Sequence, residues 1–235
     1  MLDKNKPNLV VLSGAGISAE SGLATFRDSG GLWEGYKIED VATPEAWAKN
    51  PGKVLDFYNL RRLSANNALP NFAHFALANL EQDYNVQIIT QNVDSLHEKA
   101  GSSKVLHLHG ELNKSRSTKN HQLIYEINGS ELNLGDTCEL GSQLRPHIVW
   151  FGESVPLIET AVSLVKEANI FLVIGTSLQV YPAAGLLSYF PSNLPMFLID
   201  PKPINTLQNR NLKVINKSAV EGMKEFIQLI KEIRS

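Results

Sequence analysis

Glycine-rich and polar turns follow several short apolar runs in this sequence, and they carry residue types that bind phosphate and sugar hydroxyls. The first turn, Gly14-Ala15-Gly16, follows the apolar run Leu9–Ser13. Glycines between a strand and a helix let backbone amides approach a phosphate group. The third glycine of the usual dinucleotide fingerprint is displaced, so this turn alone is equally compatible with a purely structural role. Thr25-Phe26-Arg27, shortly after it, offers a fixed cation and an aromatic face.

Three more polar segments stand at the ends of apolar runs. Gln91-Asn92-Val93-Asp94 could hydrogen-bond an amide or ribose hydroxyls, or Asn92 or Asp94 could cap a helix, and both interpretations stay open. Gly175-Thr176-Ser177 and Asp200 suit ribose and phosphate, with ordinary turn chemistry as the alternative. Because parallel strands end at one edge of a sheet, we expect these segments to converge where a dinucleotide would lie.

A pair of alternate histidines stands in the segment His107-Leu108-His109-Gly110. In a strand both side chains would face the same side, as metal ligands can. No matching cysteine, histidine or acidic partner is evident, so a metal site is disfavoured. Histidine titrates in the range that a general base needs, and Gly110 would leave space for a substrate.

The elements that would position these residues are short buried strands alternating with helices. Alternation of this kind predicts an α/β fold with a Rossmann-like parallel sheet and helices on both faces. The predicted strands are Leu9–Ser13, Val86–Thr90, Val105–Leu108, Ile170–Ile174 and Met196–Ile199.

Two segments do not follow this alternation, and we expect them to form a smaller inserted lobe. Residues 29–83 are mainly helical with no evident strand, and residues 113–144 are polar and turn-rich. The large lobe would then comprise residues 1–28, 84–112 and 145–235.

Composition excludes several other classes of protein. The 235 residues are 43% hydrophobic and 20% charged, as in a globular domain, and 22 basic against 24 acidic residues give no sign of nucleic-acid binding. The apolar run Leu9–Leu12 is too short for a signal peptide or a membrane span, which favours a cytoplasmic protein. The single cysteine, Cys138, can form neither an intrachain disulfide nor a four-cysteine zinc site. The oligomeric state stays open, with a monomer plausible.

Together the motifs resemble those of the sirtuin family, in order and over nearly the whole chain. The matching segments are GAGISAESGLATFRD (Gly14–Asp28), QNVDSLHEKAG (Gln91–Gly101), HLHGEL (His107–Leu112), LRPHIVWFGE (Leu144–Glu153) and GTSLQVYPAAG (Gly175–Gly185). Within the family, Val41–Pro44 and Phe57–Arg61 look most like the bacterial and mitochondrial class that acts on malonyl- and succinyl-lysine.

The resemblance implies a single sirtuin catalytic domain in which NAD and an acyl-lysine peptide meet in the cleft between the lobes. His109 would be the catalytic base, assisted by Asn92 and Asp94. The residues implied around NAD are Gly14, Ala15, Gly16, Glu20, Thr25, Phe26, Arg27, Trp33, Gln91, Asn92, Asp94, His109, Gly175, Thr176, Ser177, Asp200 and Ala219. Those implied to bind the acylated peptide are Ala42, Tyr58, Arg61, Val149, Trp150, Phe151, Gly152 and Glu153, the last five as a strand pairing with the peptide.

The implied reaction consumes NAD and is not a redox reaction. Its products are free lysine, nicotinamide and an acylated ADP-ribose. Tyr58 and Arg61 lie three apart, on one face of a predicted helix, and would clamp the carboxylate of a malonyl or succinyl group. A solvated helix face is the plainer alternative, with Arg62 as an equally good surface cation. Ala42 would leave room for the longer acyl chain.

Two departures from the family pattern stand out. Many members have two pairs of zinc-binding cysteines in the small lobe, whereas here only Cys138 is present and His121 cannot complete a site with it. No zinc is expected, and residues 113–144 should form a loop or short hairpin. Asp200 stands where asparagine is common at the ribose contact.

Three other functions compete with deacylation. A mono-ADP-ribosyltransferase would share the fold and NAD cleavage, but the implied base His109 favours deacylation. A non-catalytic NAD-sensing module would be expected to lack the base or the Asn92/Asp94 pair. A dehydrogenase is the weakest alternative, because the glycine spacing is wrong for it.

Overall fold

The computed structural model describes residues 3–24, 32–33, 35–202 and 211–234. Strands in these residues are β1 (Asn8–Ser13), β2 (Leu32–Trp33), β3 (Tyr36–Lys37), β4 (Asn85–Thr90), β5 (Val105–His107), β6 (Gly110–Ser117), β7 (Ile124–Glu126), β8 (Leu144–Ile148), β9 (Ile170–Ile174), β10 (Met196–Ile199) and β11 (Leu212–Ile215). The α-helices are α1 (Ile38–Val41), α2 (Pro44–Lys49), α3 (Pro51–Asn67), α4 (Phe72–Leu80), α5 (Leu96–Lys99), α6 (Ile158–Lys166) and α7 (Ala219–Arg234). Among the described residues, none of these helices is long and apolar enough to cross a membrane.

Six parallel strands form the large sheet, in the order β11-β10-β9-β1-β4-β5. The five strands predicted from apolar runs are all present in it, and β11 was not predicted. β1 pairs with both β4 and β9. The chain therefore adds β4 and β5 on one side of β1, and then crosses back to add β9, β10 and β11 on the other side. This reversal creates the crevice at the carboxyl ends of β1 and β9 in which open α/β sheets bind ligands.

Alternate residues of the central strands bury their side chains on opposite faces of the large sheet. On β1, Leu9 and Val11 pack with α4 and α7, whereas Val10 and Leu12 pack with α6 and the 3₁₀ helix Ala183–Tyr189. Both faces are therefore covered, which explains why these strands are mainly apolar along their length.

The small lobe combines α1–α3 with an antiparallel sheet of order β7-β6-β8. Its core joins helix residues such as Phe57 and Tyr58 to Leu112 on β6 and to Ile148 and Trp150 at the end of β8. Thr43 and Asn50 cap α2 and α3 as their Pro-containing sequences indicate, each accepting a backbone amide.

The lobe boundaries differ from those expected from the sequence. α4 packs on the large sheet although it falls within residues 29–83, because its apolar side chains belong to the core of β1 and β4. A two-residue hairpin, β2–β3, lies in the segment expected to contain no strand. Residues 113–144 contain the hairpin β6–β7, and β8 adds a third strand to it rather than joining the large sheet.

Candidate active site

A cavity of about 800 Å³ lies at the carboxyl ends of β1, β4, β9 and β10, between the two lobes. It brings together the strand-end residues Gly14, Ala15, Gly16, Glu20, Gln91, Asn92, Asp94, His109, Gly175, Thr176, Ser177, Asp200 and Ala219. The small-lobe side of its lining includes Ala42, Tyr58, Arg61 and residues 149–153. Thr25, Phe26 and Arg27 lie outside the described residues, as does the side chain of Trp33 on β2.

The glycine turns after β1 and β9 pack directly against each other at the base of this cavity. The amide of Gly16 donates to the carbonyl of Gly175 at 2.8 Å, and that of Gly14 donates to Ile174 at 3.1 Å. Gly175 has a φ of 65°, and a Cβ there would lie 2.3 Å from the amide nitrogen of Ile17. Glycine is therefore required at Gly175 by loop packing as well as by backbone conformation.

The turn after β4 is held by hydrogen bonds to the turn after β1. The side-chain amide of Asn92 donates to the carbonyl of Gly14 and to the hydroxyl of Ser18, both at 3.2 Å. Asp94 accepts from the Ser18 hydroxyl and from the amide of Leu96, the first residue of α5. Burial raises the pKa of Asp94 above its ordinary value. Asp94 lines the cavity, and the N-cap position of α5 belongs to Ser95, so the helix-cap alternative for Asp94 is wrong.

Ser18 was not singled out from the sequence, although it lines the cavity and connects Asn92 with Asp94. Its position inside the first glycine-rich segment was the available signal. Ser64 and Ala65 also line the cavity and were likewise missed. They follow Arg61 by three and four residues, so helical spacing places them on the same face of α3.

His109 directs one ring nitrogen at the loop after β4. Its Nδ1 lies 3.0 Å from the carbonyl oxygen of Gln91, which can only accept, so Nδ1 carries the hydrogen. Nε2 is then the basic nitrogen of the neutral ring, and burial lowers the pKa of His109.

Gly110, the next residue, is needed for the packing of two strands. A Cβ at Gly110 would lie 2.0 Å from the carbonyl oxygen of His147. Gly110 therefore lets β6 pass close to β8, which corrects the expectation that it makes room for a substrate.

Glu20 lies at the cavity edge and hydrogen-bonds to the start of α7. Its carboxylate accepts from the amide of Val220 at 2.9 Å and from the hydroxyl of Ser218 at 3.2 Å. Both donors stand at the start of α7, beside Ala219, where a negative charge is favoured by the helix dipole. Glu20 therefore fastens the turn after β1 to the N-terminus of α7.

Tyr58, Arg61 and Ala42 line the small-lobe side of the cavity. Tyr58 is fully buried, and its hydroxyl oxygen accepts from Nε1 of Trp150 at 3.0 Å, which leaves the phenolic hydrogen available for another acceptor. Burial raises the pKa of Tyr58 to about 12, so this hydroxyl stays neutral. The half-buried guanidinium of Arg61 lies 5.6 Å from the ring centre of Phe57.

Arg62, the next residue, does not face solvent. Its side chain is fully buried and donates to the carbonyls of Leu112 and Ser130 and to the side-chain oxygen of Asn59. The expectation of a surface cation is therefore wrong. Arg62 instead ties α3 to β6 and to the loop at Ser130.

Residues 149–153 leave β8 and turn at the edge of the cavity. The amide of Val149 donates to the carbonyl of His109, and that of Phe151 donates to the carbonyl of Ala42. The half-buried carboxylate of Glu153 pairs with Arg145 at 2.7 Å and with Arg116 at 3.1 Å. Glu153 therefore fixes this turn to Arg116 on β6 and to Arg145 on β8.

Comparison with known proteins assigns the chain to a family. Residues 14–182 match the Sir2 family model. "NAD-dependent protein deacylase" of Helicobacter pylori is 56% identical over 228 residues, covering 97% of this chain and 99% of that protein. The protein of the same description from Bacteroides thetaiotaomicron is 55% identical, covering 95% and 97% of the two chains.

Solved structures agree with this assignment. A Sir2 homologue in complex with NAD superposes with a TM-score of 0.86 at 39% identity, covering 97% of this chain and 91% of the other. A Sir2 protein with a deacetylated p53 peptide and 3'-O-acetyl-ADP-ribose superposes with a TM-score of 0.80 at 30% identity, covering 94% and 93%.

Proposed function

This chain belongs to the Sir2 family and is an NAD-dependent protein deacylase, and from that premise we propose that it acts on malonyl- and succinyl-lysine as well as acetyl-lysine. The reaction consumes NAD and releases nicotinamide, the free lysine and an O-acyl-ADP-ribose. The observation that carries the acyl preference is the placement of Tyr58 and Arg61 together in the cavity lining.

The large-lobe side of the cavity is suited to NAD. The two glycine turns present no side-chain bulk at the end of the sheet, although the glycine amides themselves bond to neighbouring carbonyls. The side chains of Asn92, Asp94 and Asp200 offer partners for an amide and for ribose hydroxyls. When bound, NAD supplies a ribose carbon with nicotinamide as its leaving group. The side-chain oxygen of Asn92, whose NH2 group donates to Gly14 and Ser18, and the carboxylate of Asp94 would orient that ribose.

His109 is the residue placed to move a proton. Its Nδ1–H is engaged with the carbonyl of Gln91, so Nε2 can accept the proton of a ribose hydroxyl. The lowered pKa keeps the ring neutral near pH 7, as a base requires. In this proposal the acyl group would pass from the lysine nitrogen to that ribose hydroxyl as the bond between ribose and nicotinamide breaks. One water molecule, consumed over the whole reaction, would supply the atoms that complete the freed lysine and the hydroxylated ribose.

The small-lobe side of the cavity is suited to an acidic acyl group. Arg61 offers a planar, permanently charged donor fork, and Tyr58 a neutral hydroxyl donor whose hydrogen is not used by Trp150. The small side chain of Ala42, 3% exposed, leaves width in the same region. An acetyl group has no carboxylate and would not use either donor.

Rate measurements on acetyl-, malonyl- and succinyl-lysine versions of one peptide test the acyl preference. A charged hydrogen bond contributes about 1.5–3 kcal/mol, so Arg61→Met should lower kcat/KM on succinyl-lysine roughly ten- to a hundredfold while acetyl-lysine changes little or improves. Tyr58→Phe should act in the same direction. Lys53→Met, which removes a cation from the same helix outside the cavity lining, is the matched control. Equal losses on all three peptides with Arg61→Met would refute the clamp.

A further inference from the structure

His107 is a buried histidine beside the active site that the proposed reaction does not use. It is the last residue of β5 and is 9% exposed. Of the described residues, His109 lines the cavity and His107 does not. Its Nδ1 lies 3.1 Å from the carbonyl oxygen of Asn92, and its Nε2 lies 2.8 Å from a carboxylate oxygen of Glu98 on α5.

Both hydrogen-bond partners of His107 act as acceptors. A carbonyl oxygen and an ionised carboxylate each need a donor, so both ring nitrogens carry hydrogen and the ring is an imidazolium. The pKa values agree: although burial alone would lower it, the bond to Glu98 raises the pKa of His107, and the same bond lowers the pKa of Glu98 despite its burial. The contact is therefore a charge-assisted pair.

Consecutive carbonyls of one loop are held by the two histidines of the His107-Leu108-His109 segment. His109 donates to the carbonyl of Gln91, and His107 donates to the carbonyl of Asn92. The carbonyl of Asn92 belongs to the peptide unit that joins it to Val93. Fixing that unit restricts the backbone angles on either side of it, and with them the directions of the Asn92 and Asp94 side chains.

We infer that His107, ion-paired with Glu98, is a positioning residue that holds the Asn92–Asp94 loop in the geometry that binds the nicotinamide riboside half of NAD. The inference rests on the proposed role of Asn92 and Asp94. His107 contacts neither substrate and acts only through the loop.

The test compares two substitutions of His107 by steady-state kinetics with NAD and peptide varied separately. His107→Leu keeps bulk and removes both hydrogen bonds, so kcat/KM for NAD should fall roughly ten- to a hundredfold while KM for the peptide changes little. His107→Asn places an amide donor near the Nδ1 position and should recover most of the loss. Glu98→Gln should cost less than His107→Leu, because the amide oxygen still accepts from Nε2 without the charge.

Glu111→Gln is the matched control. The charge of Glu111 acts on His107 electrostatically, with no hydrogen bond to it among the described residues, and its carboxylate pairs with Lys114. This variant should leave both kinetic constants unchanged. A purely structural His107 would give equal losses in the Leu and Asn variants, or equal effects on NAD and peptide, and either result overturns the inference.

Asn92→Ala separates the positioning role of His107 from the proposed function of the loop. If the Asn92→Ala variant binds and uses NAD normally, the proposed role of the loop itself fails. If it is impaired while His107→Leu is normal, only the positioning role fails.

Discussion

At the scale of single residues, His109 is where the proposed chemistry is most sharply tested. A general base typically contributes about 10²–10⁴-fold to a rate, so His109→Ala should lower kcat by that factor. The fold should persist, because the only hydrogen bond of the ring that the described residues show is the one to the carbonyl of Gln91. The measurement is deacylation turnover with melting temperature and NAD binding as controls. Near-normal turnover in this variant would remove His109 as the base.

Arg62 shows why residue-level inference from sequence has a limit. Arg61 and Arg62 are indistinguishable by type and adjacent in the chain, yet one lines the cavity and the other is fully buried. The difference lies in partners that are remote in sequence: Arg62 donates to the carbonyls of Leu112 and Ser130. Helical spacing places Tyr58 and Arg61 on one face of α3, as observed. It could not predict that the adjacent face, which carries Arg62, packs against the carbonyl of Leu112 on β6.

At the scale of elements, the large sheet could be predicted and the small one could not. β1, β4, β9 and β10 are covered on both faces, so each appears in the sequence as a mainly apolar run, with Gln87 of β4 as the one interruption between buried apolar residues. β6 is buried over Ser115–Ser117 although every side chain there is polar. Arg116 pairs with Glu153 and the hydroxyl of Ser117 hydrogen-bonds with that of Ser142, and composition alone gives no sign of such pairing.

The same hydroxyl groups explain how the end of the small lobe holds together without an evident metal ligand set. Ser117 Oγ accepts from the amides of Lys119 and Asn120 and lies 2.9 Å from Ser142 Oγ and 3.3 Å from Cys138 Sγ. Two hydroxyls and a single sulfur do not supply the four thiolate or imidazole donors that structural zinc needs. Within the described part of the chain, no group of three or more histidine, cysteine or acidic side chains is arranged to hold a metal.

We therefore predict that the purified protein contains far less than one zinc per chain. Elemental analysis measures this directly, and a chelator should leave the melting temperature unchanged because no folding free energy comes from metal binding. A Sir2 protein with a four-cysteine site is the appropriate positive control. Stoichiometric zinc, or a melting temperature that falls on chelation, would show that a metal ion stabilises this end of the small lobe.

At the scale of the whole molecule, the cavity exists because two lobes with different construction meet at the topological switch of the large sheet. Turns after β1, β4, β9 and β10 supply one wall, and α3 with the end of β8 supplies the other. Parallel-strand geometry predicts that the turns converge. It does not predict the wall formed by α3 and the end of β8, because α3, β6 and β8 come together only through contacts between distant parts of the chain.

Two buried histidines lie beneath the turns after β1 and β4 and link the stability of the whole molecule to pH. The rings of His74 and His97 are 5.0 Å apart and almost wholly inaccessible. Burial lowers the pKa of His74 to about 4 and that of His97 well below its ordinary value. His97 lies 2.9 Å from Ser13 Oγ, and His74 completes the cap of α4 with Asn71. Protonating either ring therefore disturbs the elements that support the cavity.

The sign of this linkage fixes the pH range in which it acts. A histidine whose folded pKa is depressed binds its proton more readily in the unfolded chain, so stability is complete above about pH 6.5 and is lost as pH falls towards the folded value. His107 has a raised pKa, and its contribution is complete below pH 6.5 and is lost only above it. The two effects occupy different ranges and can be measured separately.

We predict that the free energy of unfolding falls by about 2 kcal/mol between pH 7 and pH 5 on account of His74 alone. Denaturant titrations at these two pH values give the wild-type difference. His74→Gln removes the titrating ring while keeping a side chain that can complete the α4 cap, so it should reduce that difference by the same amount. His121→Gln, at an exposed site, should change it little because solvent screens the charge. An equal loss of stability in wild type and His74→Gln would show that acid acts on the fold through other groups.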